Sequence, residues 1–244
     1  MSGAGRYFFA ADIHIGALGN EAAKVRFIDF LHSLPADTKE LWLLGDVFDF
    51  WFEWRSSDTA ECYGEVLAEL KRVTDSGMKI FFLKGNHDYW AFGRLAELTG
   101  IQVIESQPHF IDIGGQTFCL AHGDCLGKVR IGERFIGWLF RNRAAIAICR
   151  ALPREWILKF AFWWSKSSRS KNGKQAYRLT PEGSLYKFAC SVAAERHVDH
   201  FIFGHIHHPA SFTLGSGATL HVIGDWSSSA HWLEFQGGKL TAVR

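Results

Sequence analysis

This chain has no C-x-x-C pair, no internal repeat and no low-complexity segment. Its five cysteines, Cys62, Cys119, Cys125, Cys149 and Cys190, are scattered and odd in number. That distribution argues against a disulfide scaffold or a zinc ribbon and favours a reducing compartment. No uninterrupted apolar segment reaches the roughly 20 residues that a membrane-spanning helix needs. The amino-terminal apolar stretch follows a single Arg and is broken by Asp12 and His14, so it reads as a strand and not a signal peptide. A cytoplasmic protein is therefore expected. The composition, 48% hydrophobic and 21% charged over 244 residues, is that of a soluble protein long enough for one large domain, 1–244.

Acidic residues are nearly missing from one segment. Positions 128–178 hold thirteen Lys and Arg against two acids, Glu133 and Glu155, in a chain whose net charge is only +2. Such asymmetry points to an anionic partner. The segment also carries Trp138, Phe140, Trp156, Phe160, Trp163 and Trp164, and Pro153 divides it into two helix-like stretches, 129–151 and 154–168. Basic residues interleaved with Trp and Phe at helical spacing fit an interfacial amphipathic helix or the walls of a lipid pocket. They also fit a helical pair packing its aromatics on a sheet, although structural helices seldom run so short of acids. A nucleic-acid patch is the third reading, but the Trp density is more apolar than a groove tracking a phosphate backbone requires.

Elsewhere strands and helices alternate. Short aromatic and branched runs at 7–11, 41–44, 80–83, 118–121 and 201–203 suit buried strands. Further strands are expected at 212–214, 219–223, 231–235 and 240–243, with Gly215-Ser216-Gly217 and Gly237-Gly238 as hairpin turns. Helices are expected at 21–33, 59–76, 92–98 and 182–197, with Gly77 closing the second. The pattern predicts an α/β fold, a four-layer α/β/β/α sandwich with a basic, aromatic helical cap inserted at about 128–178.

Each of the first five runs ends in a polar signature. In order these are Asp12-x-His14, Gly45-Asp46-x-x-Asp49, Gly85-Asn86-His87-Asp88, His122-Gly123-Asp124 and Gly204-His205-x-His207. Side chains at the carboxyl ends of parallel strands converge on one crevice. Asp12 and His14, two apart in extended geometry, would share a face and grip one ion. Asp46 has two oxygens and can bridge two cations, Asn86 offers a neutral oxygen, and His122, His205 and His207 offer neutral nitrogens. Oxygen and nitrogen donors without thiolate suit Mn²⁺, Fe²⁺ or Zn²⁺ alike. Two such ions about 3.5–4 Å apart would acidify a bridging water and clamp both oxygens of an in-line phosphoryl displacement. Taken singly, Asp12 or Asp49 reads as a helix N-cap and Gly85-Asn86 as a left-handed turn. Five signatures in this order are hard to explain that way together.

The set resembles the calcineurin-like metallophosphoesterases, whose pattern is D-x-H, G-D-x-x-D, G-N-H-[DE], H and G-H-x-H. The resemblance implies one metal on Asp12, His14, Asp46 and His207, and a second on Asp46, Asn86, His122 and His205. It implies that His87, held by Asp88, serves the leaving oxygen, a role suited to an imidazole.

Gly45-Asp46-Val47-Phe48-Asp49-Phe50-Trp51, the insertion ending in Trp164-Ser165-Lys166-Ser167-Ser168-Arg169, and Gly224-Asp225-Trp226 look like the UDP-2,3-diacylglucosamine diphosphatases of lipid A synthesis. That likeness implies Mn²⁺-dependent cleavage of the pyrophosphate of a UDP-linked diacylated sugar, giving UMP and a lipid 1-phosphate. It further implies peripheral contact with the cytoplasmic face of the inner membrane, and substrate contacts from Asn86, Ser168 and Arg169. The best-studied branch has Arg where this chain has His87. The competing expectations are a phosphodiesterase of soluble nucleotides or nucleic acid, and a metal-dependent anion-binding scaffold without turnover. Binding alone would not need His87, and no nucleic-acid partner is expected.

Overall fold

The computed structural model describes residues 5–17, 20–54, 59–124, 126–127, 138, 142–153, 155–157, 159 and 179–243. Two sheets face each other. The first runs β11-β10-β1-β2-β3-β4, with β1 (Arg6–Ala10), β2 (Thr38–Leu44), β3 (Lys79–Leu83), β4 (Gln102–Ile104), β10 (Trp232–Gln236) and β11 (Lys239–Val243). The second runs β5-β6-β7-β9-β8, with β5 (His109–Ile113), β6 (Gln116–Ala121), β7 (His200–Phe203), β8 (Ala210–Thr213) and β9 (Thr219–Val222). Strands β1 to β4 are parallel, as are β6, β7 and β9.

The central strands are apolar on both faces, as strands covered on both sides must be. On one face Phe9, Trp42, Leu44 and Leu83 meet Phe118, Leu120 and Ile202 of the other sheet, and the Phe9 and Phe118 rings stack at 5.7 Å. On the opposite face Phe8, Ala10, Leu41 and Leu43 pack under helices α1 (Glu21–Ser33), α2 (Gly64–Asp75) and α3 (Arg94–Thr99). Helix α1 buries Ala23, Phe27, Phe30 and Leu31, the stripe that a 3.6-residue period directs to one side. Cys119, Ala121, Phe201 and Phe203 likewise pack under α5 (Ser184–Glu195) through Leu185 and Ala189. The four-layer α/β/β/α expectation holds.

Two strands were not foreseen, β4 and β5, and each lies at a sheet edge. The segment 128–178, expected to be an insertion, falls between β6 and β7 in the chain. The expected continuous helix over 129–151 is corrected at Asn142, which is extended and accepts hydrogen bonds from the N–H of Ala144 and Ala145, so that α4 (Arg143–Ala151) starts afresh there. An Asn side chain satisfies otherwise unpaired amides at a helix start. Pro153 marks the next break, as expected, and the N–H of Trp156 bonds its carbonyl at 3.1 Å. Ser168, Arg169, Trp163 and Trp164 lie outside the described residues. Among those described, no helix is long and apolar enough to cross a membrane.

Candidate metal centre

The five signatures follow β1, β2, β3, β6 and β7 and meet at one edge of the two sheets. Their loops are knitted by main-chain bonds, including Asp12 N–H to Gly45 O at 3.1 Å, His14 N–H to Asp46 O at 2.9 Å and Gly204 N–H to His122 O at 2.9 Å. Gly45 permits this approach, since a Cβ there would lie 2.6 Å from Gly85 N and 2.8 Å from His122 Nδ1.

Backbone conformation singles out the same residues. Among the described residues, the non-glycine positions with positive φ are Asp12, His14, Asp46, His205 and His207. A left-handed backbone costs an L-residue about 1–2 kcal/mol, and such strain gathers at functional sites. It also corrects one expectation. Asp12 and His14 are not extended, with φ of 54° and 51°, so their side chains converge by left-handed turns and not by strand alternation. Neither Asp12 nor Asp49 is a helix cap, since the next helical elements begin at Glu21 and Ala60.

The donors form a tight cluster. Ligand atoms of Asp12, His14, Asp46 and His207 all lie within 4.8 Å of one another. His14 Nε2 sits 3.2 Å from His207 Nε2 and 3.8 Å from Asp46 Oδ2. Two ring nitrogens so close repel unless a proton or a cation lies between them. On the other side of Asp46, His122 Nε2 lies 3.3 Å from Asp46 Oδ2 and 3.3 Å from Asn86 Oδ1. His122 Nδ1 donates to Leu44 O at 2.9 Å, which leaves Nε2 as the donor atom facing the cluster. The His205 ring lies 5.2 Å from that of His122, and its N–H bonds both Asp12 oxygens. Asp46 therefore stands between the two groups of donors.

Charge balance points the same way. Burial would raise the Asp46 acid, but His122, His87 and His14 outweigh it and hold the carboxyl well below its usual range. Asp12 is pushed well above that range by burial, to which the Asp46 charge adds. Burial opposes the charged form of His122, yet Asp46 and Asp12 raise its pKa well above normal. Desolvation, then the charge of His122 on His205 and of His14 on His207, lowers both imidazoles, even though both residues reach solvent. Neutral imidazoles are the form that binds metals, and a cation displaces protons from such a cluster. This donor set, rich in nitrogen and oxygen and free of sulfur, fits divalent cations.

His87 and Asp88 need separating. The expectation that Asp88 holds His87 is corrected. The Asp88 carboxylate accepts backbone N–H groups from Gly85, Asp46, Val47 and Phe48, and so ties the β2 and β3 loops together. The His87 ring is held by Asp49, whose carbonyl accepts Nδ1–H at 2.8 Å and whose carboxylate lies 3.4 Å away. Asp49 Oδ1 is also 3.6 Å from His14 Nδ1, a buried nitrogen without a hydrogen-bond partner. Asp49, the last residue of its signature, thus holds His87, a role that its spacing does not reveal. Asp225, of the Gly224-Asp225-Trp226 signature, lies 3.8 Å from His207 Nδ1.

A sandwich that gathers carboxylates and imidazoles at five strand ends defines a candidate metal-binding centre. Residues 5–209 match the family model of the calcineurin-like phosphoesterases, and the chain belongs to that family. It is similar to proteins named UDP-2,3-diacylglucosamine hydrolase. The one from Porphyromonas gingivalis is 28% identical, across 93% of this chain and 94% of its own length. That from Nitrosococcus oceani is 30% identical, across 90% and 86%, and that from Shewanella piezotolerans 29% identical, across 91% and 90%.

Proposed function

We propose that this chain hydrolyses the pyrophosphate bond of a UDP-linked diacylated glucosamine, giving UMP and a lipid 1-phosphate, with two Mn²⁺ ions. Asp12, His14, Asp46 and His207 would hold one ion, and Asp46, Asn86, His122 and His205 the other. When bound, the pair supplies Lewis acidity for the phosphoryl oxygens and lowers the pKa of water. His87 serves the leaving oxygen. Anchoring of Nδ1 on Asp49 leaves Nε2 as the nitrogen for proton transfer. Asp88 keeps the two loops in register, while Asn86, Ser168 and Arg169 contact the substrate.

One observation carries the lipid part of this reading. Ile146, Cys149 and Ile157 of the insertion pack with Phe50, Phe52, Trp54, Tyr89 and Trp90, residues that follow Asp49 and Asp88 in the loops of the site. The segment between β6 and β7 therefore docks, through buried apolar contacts, on the loops that carry the site, where a cap over acyl chains would have to sit. The relatives' shared name, across nearly the full length of the chain, supports the same substrate. Trp138, Ile148, Leu152 and Trp156 are exposed apolar residues of the insertion, and with its Lys and Arg they suit peripheral contact with an anionic inner-membrane surface. A soluble nucleotide would leave this surface unused.

The test compares long-acyl and deacylated forms of the substrate. Replacing Trp163 and Trp164 by Ser should weaken turnover of the long-acyl form far more than of the deacylated one, because acyl burial stabilises binding by about 25 cal/mol per Å². Equal losses in a folded protein would overturn the lipid reading and favour a nucleotide phosphodiesterase.

A further inference from the structure

Beyond the ligands themselves, one side chain joins two of the loops that carry them. Gln107 lies in the connection from β4 to β5, where the chain passes from the first sheet to the second. Its Nε2 donates to Lys84 O at 2.6 Å, and its Oε1 accepts the His122 N–H at 2.7 Å. Lys84 immediately precedes Gly85-Asn86. The two bonds therefore link the main chain beside Asn86, on the first sheet, to the main chain of His122, on the second. The same connection is gripped once more by Lys84 Nζ, which pairs with Glu105 at 2.7 Å.

We infer that Gln107 is a positioning residue for the second cation subsite, formed by Asn86, His122 and His205 with Asp46. The inference rests on the ligand assignment proposed above. Asn86 Oδ1 and His122 Nε2 lie 3.3 Å apart, although their strands belong to different sheets, and that separation has to be set by something that spans the sheets. The other subsite also draws a ligand, His207, from the second sheet, but Gln107 bonds none of its loops, and His14 and Asp46 are tied to each other by a direct main-chain bond at 2.9 Å. Only a primary amide of this length answers both demands, since a carbonyl needs a donor and an N–H needs an acceptor. Glu keeps the acceptor but cannot donate to Lys84 O. Met keeps the length and offers neither strong group. Asn is one methylene too short to reach both.

Mn²⁺ titration followed by calorimetry and electron paramagnetic resonance tests the assignment on the full chain. His122→Ala marks the second site and His14→Ala the first. Gln107→Met and Gln107→Glu should each weaken the site that His122→Ala removes by about 10–100-fold, the usual effect of losing an outer partner of a metal ligand. The affinity of the other site should stay at its wild-type value. A general loosening of the fold would not select one site, so equal weakening at both would overturn the inference, as would unchanged affinity at both. If Gln107→Met does not fold, Gln107→Glu alone carries the comparison. A wild-type protein that binds fewer than two Mn²⁺ would instead sink the dinuclear reading, and this assignment with it.

Discussion

Asp46 takes its position from Asp88. The Asp88 carboxylate accepts the Asp46 N–H at 3.2 Å and the Gly85 N–H at 2.7 Å through one oxygen, and the Val47 N–H at 2.8 Å through the other. The bridging candidate on one loop is thus set by a buried acid on the next. Burial, then the Asp46 charge, pushes that acid up to about 6. Asp88→Asn places an amide N–H₂ against backbone N–H groups, and stranding a buried donor costs roughly 1–3 kcal/mol. Urea melts of the metal-free variant should show a loss of that size. A melt matching wild type would mean that these bonds do not hold the loops.

Asp46 also faces both groups of donors. Asp46→Ala should abolish hydrolysis and lower bound metal below that of any variant in which a non-bridging ligand is lost, because one side chain serves both ions. Metal analysis of the dialysed protein reads this directly, and near-wild-type stoichiometry would remove the bridge.

His87 should behave in the opposite way. His87→Ala is expected to keep its metals and lose about 10²–10⁴-fold in rate, the usual worth of a proton-transfer group. Asp49→Asn keeps the carbonyl that anchors His87 and removes only the charge, so its loss in rate should be smaller than that of His87→Ala. Metal loss in His87→Ala would show that His87 is a ligand.

Acid stability should depend on His221, on β9. Burial, then the charge of His200, lowers this imidazole from 6.5 to about 4, and its Nδ1 pairs with Ser211 Oγ at 2.8 Å. The unfolded chain therefore takes up the proton first as pH falls. Stability from this group is complete above about pH 6.5 and is lost progressively toward about pH 4. Urea melts of EDTA-treated protein across that window should fall less steeply for His221→Gln than for wild type. Identical slopes would contradict the shift.

Helix α1 and the strands beneath the five signatures were legible because their apolar residues recur with the period of the element, as in Ala23, Phe27, Phe30 and Leu31. Edge strands β4 and β5 escaped notice for the complementary reason. The first is only three residues long, and in the second His109 to Ile111 are half-buried and Asp112 exposed, so neither has the apolar run of a central strand. The ligand positions could be named from spacing alone, but not the left-handed turns that aim Asp12, His14 and Asp46. Nor could spacing reveal that Asp88 serves the neighbouring loop while Asp49 serves His87. Partners 38 to 42 residues apart become neighbours only when strands β2 and β3 lie side by side. Asn142, a polar residue inside a helical stretch, carried a capping signal that the longer amphipathic pattern obscured.

Phosphorus-resolved product analysis with UDP-2,3-diacylglucosamine and Mn²⁺ reaches the central claim most directly. The account predicts UMP and the lipid 1-phosphate in equal amounts, lost on chelation, restored by added Mn²⁺ and absent in Asp46→Ala. A folded, metal-loaded protein that leaves this substrate intact while cleaving a soluble nucleotide or nucleic-acid phosphodiester would contradict it.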